Sequence, residues 1–571
     1  MEGAGTMKTV VIGLDALDFR YVDRFADATP NLQRLRERGL EARLESTHPP
    51  WTGSAWPSMY TGTDPSHHGV YGFFAYDGYP DEAQLVSRSD VRRPALWDYL
   101  SHSRDGGRSI VMNVPVTHPA EPIEGALVPG YLAVEDDPGH PEGIRDELSA
   151  AIGEEYTIYS RAEVSDDKDE KFEGYLDLIE QRRRAAVELV EREEWELAVL
   201  QVQKTDAVFH NFERDEAFRR IYAAADRLVG DVLEAVDDDA VNVVVCSDHG
   251  IGPVTGYNVH VNEVLRDHGF VETTDETDRP TIGTEKASLV EGNGSGGPGP
   301  SQGPGPADDR AETARNGGNG SSPLLEGTVR AGQRLASRVG VEPADVYAAA
   351  ERVGLESTLL RLAPDDVKSA ATESVDWRNS RAYCADGTRM GVRINVAGRD
   401  SQGVVPQSAY ESTRDEIIEI LGDLETPDGE PVFEYVCRRE ELYDGPYVDR
   451  APDVCFLPTD MNHLVSSTLY GRRFVSVDTY NHKRDGVFIG AGPAFSASGP
   501  DRFSLTDVAP IAMALLDRPV PERMTGSVPP GVLSADVRRS DYGDIPYGRT
   551  TVEPTADDGE VTERLEDLGY L

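Results

Sequence analysis

Residues 9–15 read TVVIGLD, a short run of β-branched and aliphatic residues that ends in a carboxylate. Such a run is typical of a strand that is buried in a parallel sheet. Two later runs have the same character, LAVLQV at residues 197–202 and VNVVVC at residues 241–246. Helical patterns lie between the strands, at residues 29–39 and 167–195 among others. This alternation predicts an α/β fold with a mainly parallel central sheet flanked by helices.

A different composition interrupts the pattern at residues 275–323. The stretch GNGSGGPGPSQGPGPADDR within this segment has no large apolar residue, which predicts a disordered Gly/Pro/Ser linker. Residues 324–375 then carry apolar residues at helical spacing, and we interpret them as a helical insertion. The insertion is either a cap over a functional site or additional packing. The predicted α/β core therefore has two parts, residues 1–274 and 376–571.

The chain is strongly acidic, with 102 Asp and Glu residues against 56 Lys and Arg residues and a net charge of −46. No long basic run opposes this charge, which excludes a nucleic-acid-binding patch. No apolar run approaches the roughly 20 residues that a membrane span requires. Four cysteines without a CxxC pair predict reduced thiols and a cytoplasmic protein. The dispersed acidity with few lysines resembles proteins of salt-loving cytoplasms and predicts folding only in high salt.

Carboxylates and imidazoles follow two of the predicted strands. Asp15 ends the first strand, and Asp248 and His249 come shortly after the strand that ends at Cys246. Ligands of open α/β sheets bind at the carboxyl ends of the strands, and Asp and neutral His are good ligands for zinc or manganese. Each group also has a structural alternative. Asp15 could cap a helix, and Asp248 with His249 could form an ordinary turn.

Two further signals occur farther along the chain. Asp206 and His210 lie four residues apart in KTDAVFHNF, so a helix would place both side chains on one face, within reach of one ion. The alternative is an Asp–His pair that only stabilises the helix. His482 stands in a predicted loop before the apolar run at residues 487–489, and by itself would be a surface residue.

The segment PPWTGSAWPSMYTG, residues 49–62, predicts the start of a helix with Thr52 at the N-cap. The N-terminus of a helix offers free amides and positive potential, which favour a phosphoryl group or an alkoxide. Thr52 could act as a nucleophile if a metal ion lowered the pKa of its hydroxyl. The alternative is a plain capping threonine. Taken together, three carboxylates and three imidazoles suit two divalent ions with three protein ligands each and a bridging oxygen.

This set of residues and its order resemble the alkaline phosphatase superfamily. The resemblance is greatest to the type I phosphodiesterase/nucleotide pyrophosphatase branch, including prokaryotic members described as predicted phosphohydrolases or phosphomutases. It covers nearly the whole chain apart from the linker. The motifs that carry it are VIGLDALD at residues 11–18, PPWTGSAWPSMYTGTDPSHHGVYGF at 49–73, KTDAVFH at 204–210, VVVCSDHG at 243–250 and NHKRDGVFIGAGP at 481–493.

The resemblance implies an alkaline-phosphatase-like core and a two-metal hydrolase that acts on small phosphate esters as a phosphodiesterase. The implied nucleophile is Thr52, which would lie beside the second ion and form a phospho-enzyme. The implied ligands are Asp206, His210 and His482 for one ion, and Asp15, Asp248, His249 and Thr52 for the other. Zinc is implied more strongly than manganese. A phosphomutase or phosphotransferase on the same site and a catalytically silent metal-binding protein stay open as alternatives.

The sequence also departs from the family pattern. Diesterases of this branch carry an asparagine after the HG of the nucleophile segment, where it contacts a phosphate oxygen. The matching position here is Phe73. Candidates for the missing substrate contact are Ser54, Trp56 and Lys204. No C/S-x-P-x-R motif of the kind that sulfatases use occurs near Thr52, which disfavours sulfate esters.

Overall fold

The computed structural model describes residues 7–274 and 374–548, apart from residues 77, 104–105, 166, 193, 237–240, 497 and 535. The predicted linker, and residues 324–373 of the predicted helical insertion, lie outside the described residues. The last two residues of that insertion, Ser374 and Val375, form a short strand. Most of the described chain belongs to one compact unit, which comprises residues up to 273, 375–468 and from 472 onward.

The strands share the short lengths that the apolar runs predict. They are β1 (Thr9–Leu14), β2 (Leu40–Glu45), β3 (Phe74–Ala75), β4 (Gln84–Leu85), β5 (Ser109–Val114), β6 (Gly125–Pro129), β7 (Leu197–Val202), β8 (Asn242–Cys246), β9 (Gly250–Val254), β10 (Tyr257–His260), β11 (Thr273–Thr274), β12 (Ser374–Val375), β13 (Ala382–Tyr383), β14 (Gly391–Ile394), β15 (Phe433–Arg438), β16 (Val454–Pro458), β17 (Leu464–Ser466), β18 (Phe474–Ser476), β19 (Thr479–Lys483), β20 (Asp485–Ala491), β21 (Arg502–Ser504), β22 (Val520–Pro521) and β23 (Arg539–Ser540).

The helices range in length from 4 residues in the shortest to 25 residues in the longest. They are α1 (Phe19–Arg24), α2 (Pro30–Arg38), α3 (Thr52–Thr61), α4 (Pro65–His68), α5 (Leu96–Ser101), α6 (Ile144–Ile152), α7 (Lys168–Arg192), α8 (Lys204–Asn211), α9 (Asp215–Val236), α10 (Val261–Asp267), α11 (Tyr410–Gly422), α12 (Arg439–Leu442) and α13 (Val508–Leu515). None of these helices is both long and apolar enough to cross a bilayer, within the part of the chain that the structure describes.

The central sheet has eight strands in the order β21-β2-β20-β8-β1-β7-β5-β6. Its neighbours are parallel except for β20, which runs antiparallel to both β2 and β8. The strands β1, β5, β7 and β8 are buried along their whole length, because an apolar strand in a parallel sheet is covered on both faces. The predicted α/β class with a mainly parallel sheet is confirmed.

The register of the sheet explains how distant parts of the sequence meet. Leu14 at the end of β1 pairs with Val202 at the end of β7, and Gly13 pairs with Cys246 at the end of β8. Because these three strands are parallel and end together, the residues that follow them emerge at one edge of the sheet. That edge receives Asp15 directly after β1.

The later part of the chain contributes strands outside the central sheet. Strands β13 and β14 are separated by a short helical turn at residues 387–389. Both belong to a second, four-stranded sheet with the order β13-β14-β16-β15. Its strands are antiparallel, which allows short connections and short strands.

Candidate metal centre

The loops after β1 and β8 supply the first three polar side chains of the site. Asp15 follows β1, and Asp248 and His249 follow β8 after Ser247, all fully buried. The backbone amide of Ala16 lies 3.3 Å from Asp248 Oδ1, which joins the two loops. The Nε2 atom of His249 lies 3.2 Å from Asp248 Oδ2 and 3.6 Å from Asp15 Oδ1. The structure therefore brings these three groups together.

The predicted helix at KTDAVFHNF is present as α8, directly after β7. Its four-residue spacing places His210 Nε2 3.2 Å from Asp206 Oδ1, on the face that points to the sheet edge. The aromatic ring of Phe209, on another face of α8, packs against Phe218 with ring centroids 4.0 Å apart. The helix is thus held on its apolar side while its polar side presents a carboxylate and an imidazole.

His482 does not lie in a loop, contrary to the prediction, but in β19. This strand pairs with β9, and His482 is opposite Ile251 in that antiparallel ribbon. Because β9 begins just after His249, the ribbon carries His482 back over the edge of the sheet at which Asp15 and His249 lie. Its Nε2 atom lies 3.6 Å from Asp206 Oδ1, and its ring stacks on that of His249 with centroids 3.6 Å apart.

Thr52 is the first residue of α3, and the N-cap position belongs to Trp51. The prediction that Thr52 caps the helix was therefore wrong by one residue, because the extended backbone before the helix ends at Trp51. The consequence is chemical, since the Thr52 hydroxyl is not used as a cap. Its Oγ1 atom lies 3.4 Å from His249 Nε2, and the residue is completely buried.

Two overlapping groups of ligand atoms result, and the atoms of each group lie within 4.8 Å of one another. One group consists of Asp206, His210 and His482, and the other of Asp15, Asp206 and His249. Asp248 adjoins the second group through its 3.2 Å contact with His249. All six predicted acid and imidazole groups thus lie at one place, with the Thr52 hydroxyl beside them.

The imidazoles are oriented by main-chain oxygens. The Nδ1 atom of His249 lies 3.1 Å from the carbonyl oxygen of Gly250, and that of His482 lies 3.0 Å from the carbonyl oxygen of Pro50. A carbonyl can only accept, so each Nδ1 carries a proton, and in the neutral form of each imidazole the lone pair is on Nε2, which faces the carboxylates. This is the arrangement that prepares histidine to bind a metal ion.

The electrostatics of the centre favour the binding of a cation. Burial raises the pKa of Asp15 well above its ordinary value, and repulsion by Asp248 and Asp206 raises it further. Burial and the two neighbouring imidazoles, His249 and His210, hold the pKa of His482 well below its ordinary range. A neutral imidazole next to three crowded carboxylates is a donor set suited to a divalent cation rather than to a set of salt bridges.

Three buried carboxylate oxygens support the same conclusion. Asp15 Oδ1, Asp206 Oδ2 and Asp248 Oδ2 receive no hydrogen bond from any of the described residues. A buried carboxylate oxygen without a donor is costly unless a cation compensates for it. The residues present therefore fit a pair of divalent ions.

The three candidate substrate contacts all have other partners. The Ser54 hydroxyl lies 2.8 Å from the carbonyl oxygen of Pro49. The Lys204 ammonium group lies 2.6 Å from Glu163 Oε2 in a buried ion pair. The Trp56 indole donates to Asp15 Oδ2 at 3.2 Å. These contacts secure the loop before α3, the start of α8 and the Asp15 carboxylate, and the assignment of the three residues as substrate contacts stays a prediction.

A second buried hydroxyl–imidazole pair lies nearby, between Ser58 and His68, with Ser58 Oγ 2.9 Å from His68 Nε2. The amide of Val70 donates to His68 Nδ1 at 3.2 Å, so the proton of this imidazole is on Nε2. Burial lowers the pKa of His68 to about 3. In this tautomer His68 cannot take a proton from Ser58, and the pair is not a nucleophile–base pair.

The position that departs from the family pattern is also close to Thr52. Phe73 is fully buried, and a Cβ added to Gly53 would meet the Gly72 carbonyl oxygen at 2.7 Å and the Phe73 ring at 3.0 Å. The apolar ring therefore lies beside the residue that follows Thr52. An apolar ring cannot donate a hydrogen bond, so this side of the centre lacks the amide contact that an asparagine would provide.

The sequence analysis missed Gln201, whose side-chain amide donates to Asp15 Oδ2 at 2.9 Å. A signal was present, because Gln201 is the one polar residue in the otherwise apolar run LAVLQV of β7. A glutamine buried in a central strand requires hydrogen-bond partners, and therefore indicates a polar site nearby.

Comparison with known proteins agrees with this geometry. The family model described as type I phosphodiesterase/nucleotide pyrophosphatase matches residues 9–298, just over half of the chain. That range contains all the groups described above except His482. A search of the curated proteins finds no significant match.

This chain is also similar to solved structures. Phosphonoacetate hydrolase from Sinorhizobium meliloti 1021, in complex with phosphonoformate, is 14% identical over 90% of this chain and 96% of that chain, with a TM-score of 0.53. Human ectonucleotide pyrophosphatase/phosphodiesterase 5 is 12% identical over 92% of this chain and 100% of that chain, with a TM-score of 0.47. The likeness to the first shows that the two chains share an α/β fold.

Proposed function

This chain belongs to the type I phosphodiesterase/nucleotide pyrophosphatase family of metal-dependent phosphoric ester hydrolases, and from that membership we propose that it is a two-metal phosphodiesterase acting through Thr52. The observation that carries the proposal is the convergence of three buried carboxylates and three imidazoles next to one threonine hydroxyl. A centre that only bound metal would not need a hydroxyl in that position.

The distances support the division of the ligands between two ions that the resemblance implies. Asp206, His210 and His482 would hold one ion, because both imidazole Nε2 atoms face Asp206 Oδ1, at 3.2 and 3.6 Å. The other ion would be held by Asp15, Asp248 and His249, together with Thr52. Zinc suits this mixture of nitrogen and oxygen ligands. When bound, the two ions would lower the pKa of the Thr52 hydroxyl and offset the negative charge of the phosphoryl group.

The chain's own residues then define a two-step reaction. In the first step Thr52 Oγ1 loses its hydroxyl proton and forms a bond to phosphorus, while one ester oxygen leaves with its electron pair and takes up a proton. This gives an alcohol and a phosphodiester of Thr52 that still carries the other ester group. In the second step water attacks phosphorus from the side that the alcohol vacated, and the Thr52 oxygen leaves. The α3 N-terminus, with its free amides, favours the phosphoryl group throughout.

The activity is tested with a panel of chromogenic phosphodiesters, phosphomonoesters and sulfate esters, together with phosphonoacetate, each with zinc and with manganese in high salt. We expect turnover of the diester to exceed that of every other substrate. Preferential turnover of the monoester would contradict the phosphodiesterase assignment. Transfer of the phosphoryl group to an added alcohol, at the expense of hydrolysis, would instead establish a phosphotransferase. Inactivity of the fully metal-loaded protein on the whole panel would establish a silent metal-binding protein.

We further propose that the protein works in a cytoplasm of high ionic strength. Its net charge of −46 makes the folded state repel itself, and salt screens this repulsion because the Debye length falls from about 30 Å at 0.01 M to about 3 Å at 1 M. The far-UV circular dichroism spectrum should therefore lose its helical signal in dilute buffer and regain it in molar KCl. Identical spectra in both conditions would refute the proposal.

A further inference from the structure

Gln201 is a polar residue in an otherwise apolar strand of the central sheet. Gln201 is completely buried in β7, between β1 and β5, where the neighbouring positions are apolar. Burial of an amide without partners is unfavourable, so a buried glutamine in such a strand must be satisfied by specific hydrogen bonds.

Both ends of the Gln201 side chain are engaged. Its Nε2 atom donates to Asp15 Oδ2 at 2.9 Å, and its Oε1 atom accepts from Asn113 Nδ2 at 3.3 Å. The two contacts settle the orientation of the amide, because a flipped amide would place an acceptor against the carboxylate and a donor against the donor of Asn113. Asn113, Gln201 and Asp15 thus form a chain of hydrogen bonds that leads to the metal centre.

The backbone conformation at Asn113 directs its side chain toward Gln201. Its φ is 64°, in the left-handed region, although it lies inside β5. The pairing of β5 with β6 shifts its register between Met112 and Val114, so Asn113 is the extra residue of a bulge. A bulge redirects one side chain of a strand, and such strained positions concentrate at functional sites. Here the redirected side chain is the one that holds Gln201.

A second donor, from helix α3, lies within hydrogen-bond distance of the same oxygen of Asp15. The Trp56 indole Nε1 of α3 lies 3.2 Å from Asp15 Oδ2. Its ring packs over Gly13, where any Cβ atom would overlap it. Gly13, two residues before Asp15, must therefore be a glycine if the Trp56 indole is to hydrogen-bond the Asp15 carboxylate. Asp15 Oδ2 thus has two donors, whereas Oδ1 has none among the described residues and faces His249.

We propose that Asn113, Gln201 and Trp56 form a positioning network that orients Asp15 so that its Oδ1 atom is presented to the ion held with Asp248 and His249. The inference rests on the proposed two-metal function. None of the three side chains touches the substrate in this role. They act through Asp15, by holding one carboxylate oxygen and leaving the other for the cation.

The test measures ion affinity at each half of the centre separately. His210→Ala removes a ligand of the ion proposed for Asp206, His210 and His482, and leaves the ligands of the other ion in place. Asp248→Ala removes a ligand of that other ion, and leaves Asp206, His210 and His482 in place. Zinc affinity is measured by chelator competition in both backgrounds, with and without Gln201→Leu. We expect Gln201→Leu to weaken zinc binding about 10–100-fold in the His210→Ala background and by less than about 3-fold in the Asp248→Ala background.

A matched control separates positioning from general loss of a buried amide. Gln181 is also buried, and its side chain bonds the carbonyl oxygen of Glu155 and the amide of Thr157, neither of which belongs to the centre. Gln181→Leu should lower the melting temperature without changing zinc affinity in either background. Equal zinc affinity of Gln201→Leu and its parent in the His210→Ala background would overturn the inference.

Two smaller changes keep the inference testable if Gln201→Leu does not fold. Trp56→Phe keeps an aromatic ring and removes only the N–H donor. Asn113→Gly removes the amide and tolerates the positive φ. Each should weaken zinc binding in the His210→Ala background alone, and the absence of any effect from both would overturn the inference. A wild-type protein that binds no divalent ion would defeat the proposed function itself, whereas two ions bound normally by every network variant would defeat only the network.

Discussion

Replacement of Thr52 by alanine is expected to abolish ester hydrolysis while both ions stay bound. Thr52 Oγ1 lies 3.4 Å from His249 Nε2, so this hydroxyl adjoins the proposed ligands of the second ion. Nearby hydroxyls cannot replace it, because Ser54 and Ser58 donate to main-chain oxygens. Loss of a nucleophile that acts as a unit with its activating groups typically costs about 10⁴- to 10⁶-fold in kcat.

The measurement is kcat on the best substrate of the panel, with metal content determined by elemental analysis on the same sample. Thr61→Ala, at the far end of α3, is the matched control, since the Thr61 hydroxyl donates to the carbonyl oxygen of Pro57 and does not reach the centre. Thr52→Ser should retain part of the activity because it keeps a hydroxyl. Full activity of Thr52→Ala would show that the reaction does not pass through a covalent intermediate on Thr52.

Replacement of His482 by alanine is expected to remove one ion and to lower kcat by roughly 10³-fold or more. The loss is large because both ions are needed together to stabilise the reacting phosphoryl group. His482 is the most informative ligand, since it lies outside the range that the family model matches. Its imidazole is buried, is oriented by the Pro50 carbonyl oxygen and faces Asp206. No nearby side chain replaces it on that strand, because its neighbours in β19 point to the opposite face.

Elemental analysis of His482→Ala should give one ion per chain where the wild type gives two. His102→Ala is the control, because His102 is exposed at the end of α5 and its Nδ1 atom lies 3.0 Å from the Asp98 carbonyl oxygen, away from the centre. The control should keep both ions and the wild-type rate. A His482→Ala protein with two ions and unchanged kcat would remove this residue from the centre and with it the proposed division of ligands.

Local patterns were sufficient for most of the fold. Apolar β-branched runs predict β1, β7 and β8, and the cap and stop residues around residues 29–39 predict α2, which the structure has at Pro30–Arg38. These predictions succeed because periodicity and termination are properties of a short window of sequence. The positions of Asp15 and of Asp248 with His249 after their strands were predictable for the same reason.

Other features depend on residues that are far apart in the chain. The antiparallel direction of β20 and the location of His482 in a strand follow from pairing with β8 and β9, which local sequence does not encode. The same holds for the three candidate substrate contacts, whose side chains are occupied by Pro49, Asp15 and Glu163. A residue type shows what a side chain can bind, but only its neighbours show whether it is already bound.

The chain's own sequence determined the α/β class, the acidic character and the identity of the groups able to bind metal, because these depend on composition, short-range periodicity and chemical type. Only the tertiary structure decided that six such groups meet at Thr52, that His249 and His482 direct their Nε2 atoms inward, and that a bulged asparagine and a buried glutamine hold Asp15. Those properties arise from sheet register and from contacts between segments up to several hundred residues apart, such as His482 with Pro50, and register is a property of the folded sheet as a whole.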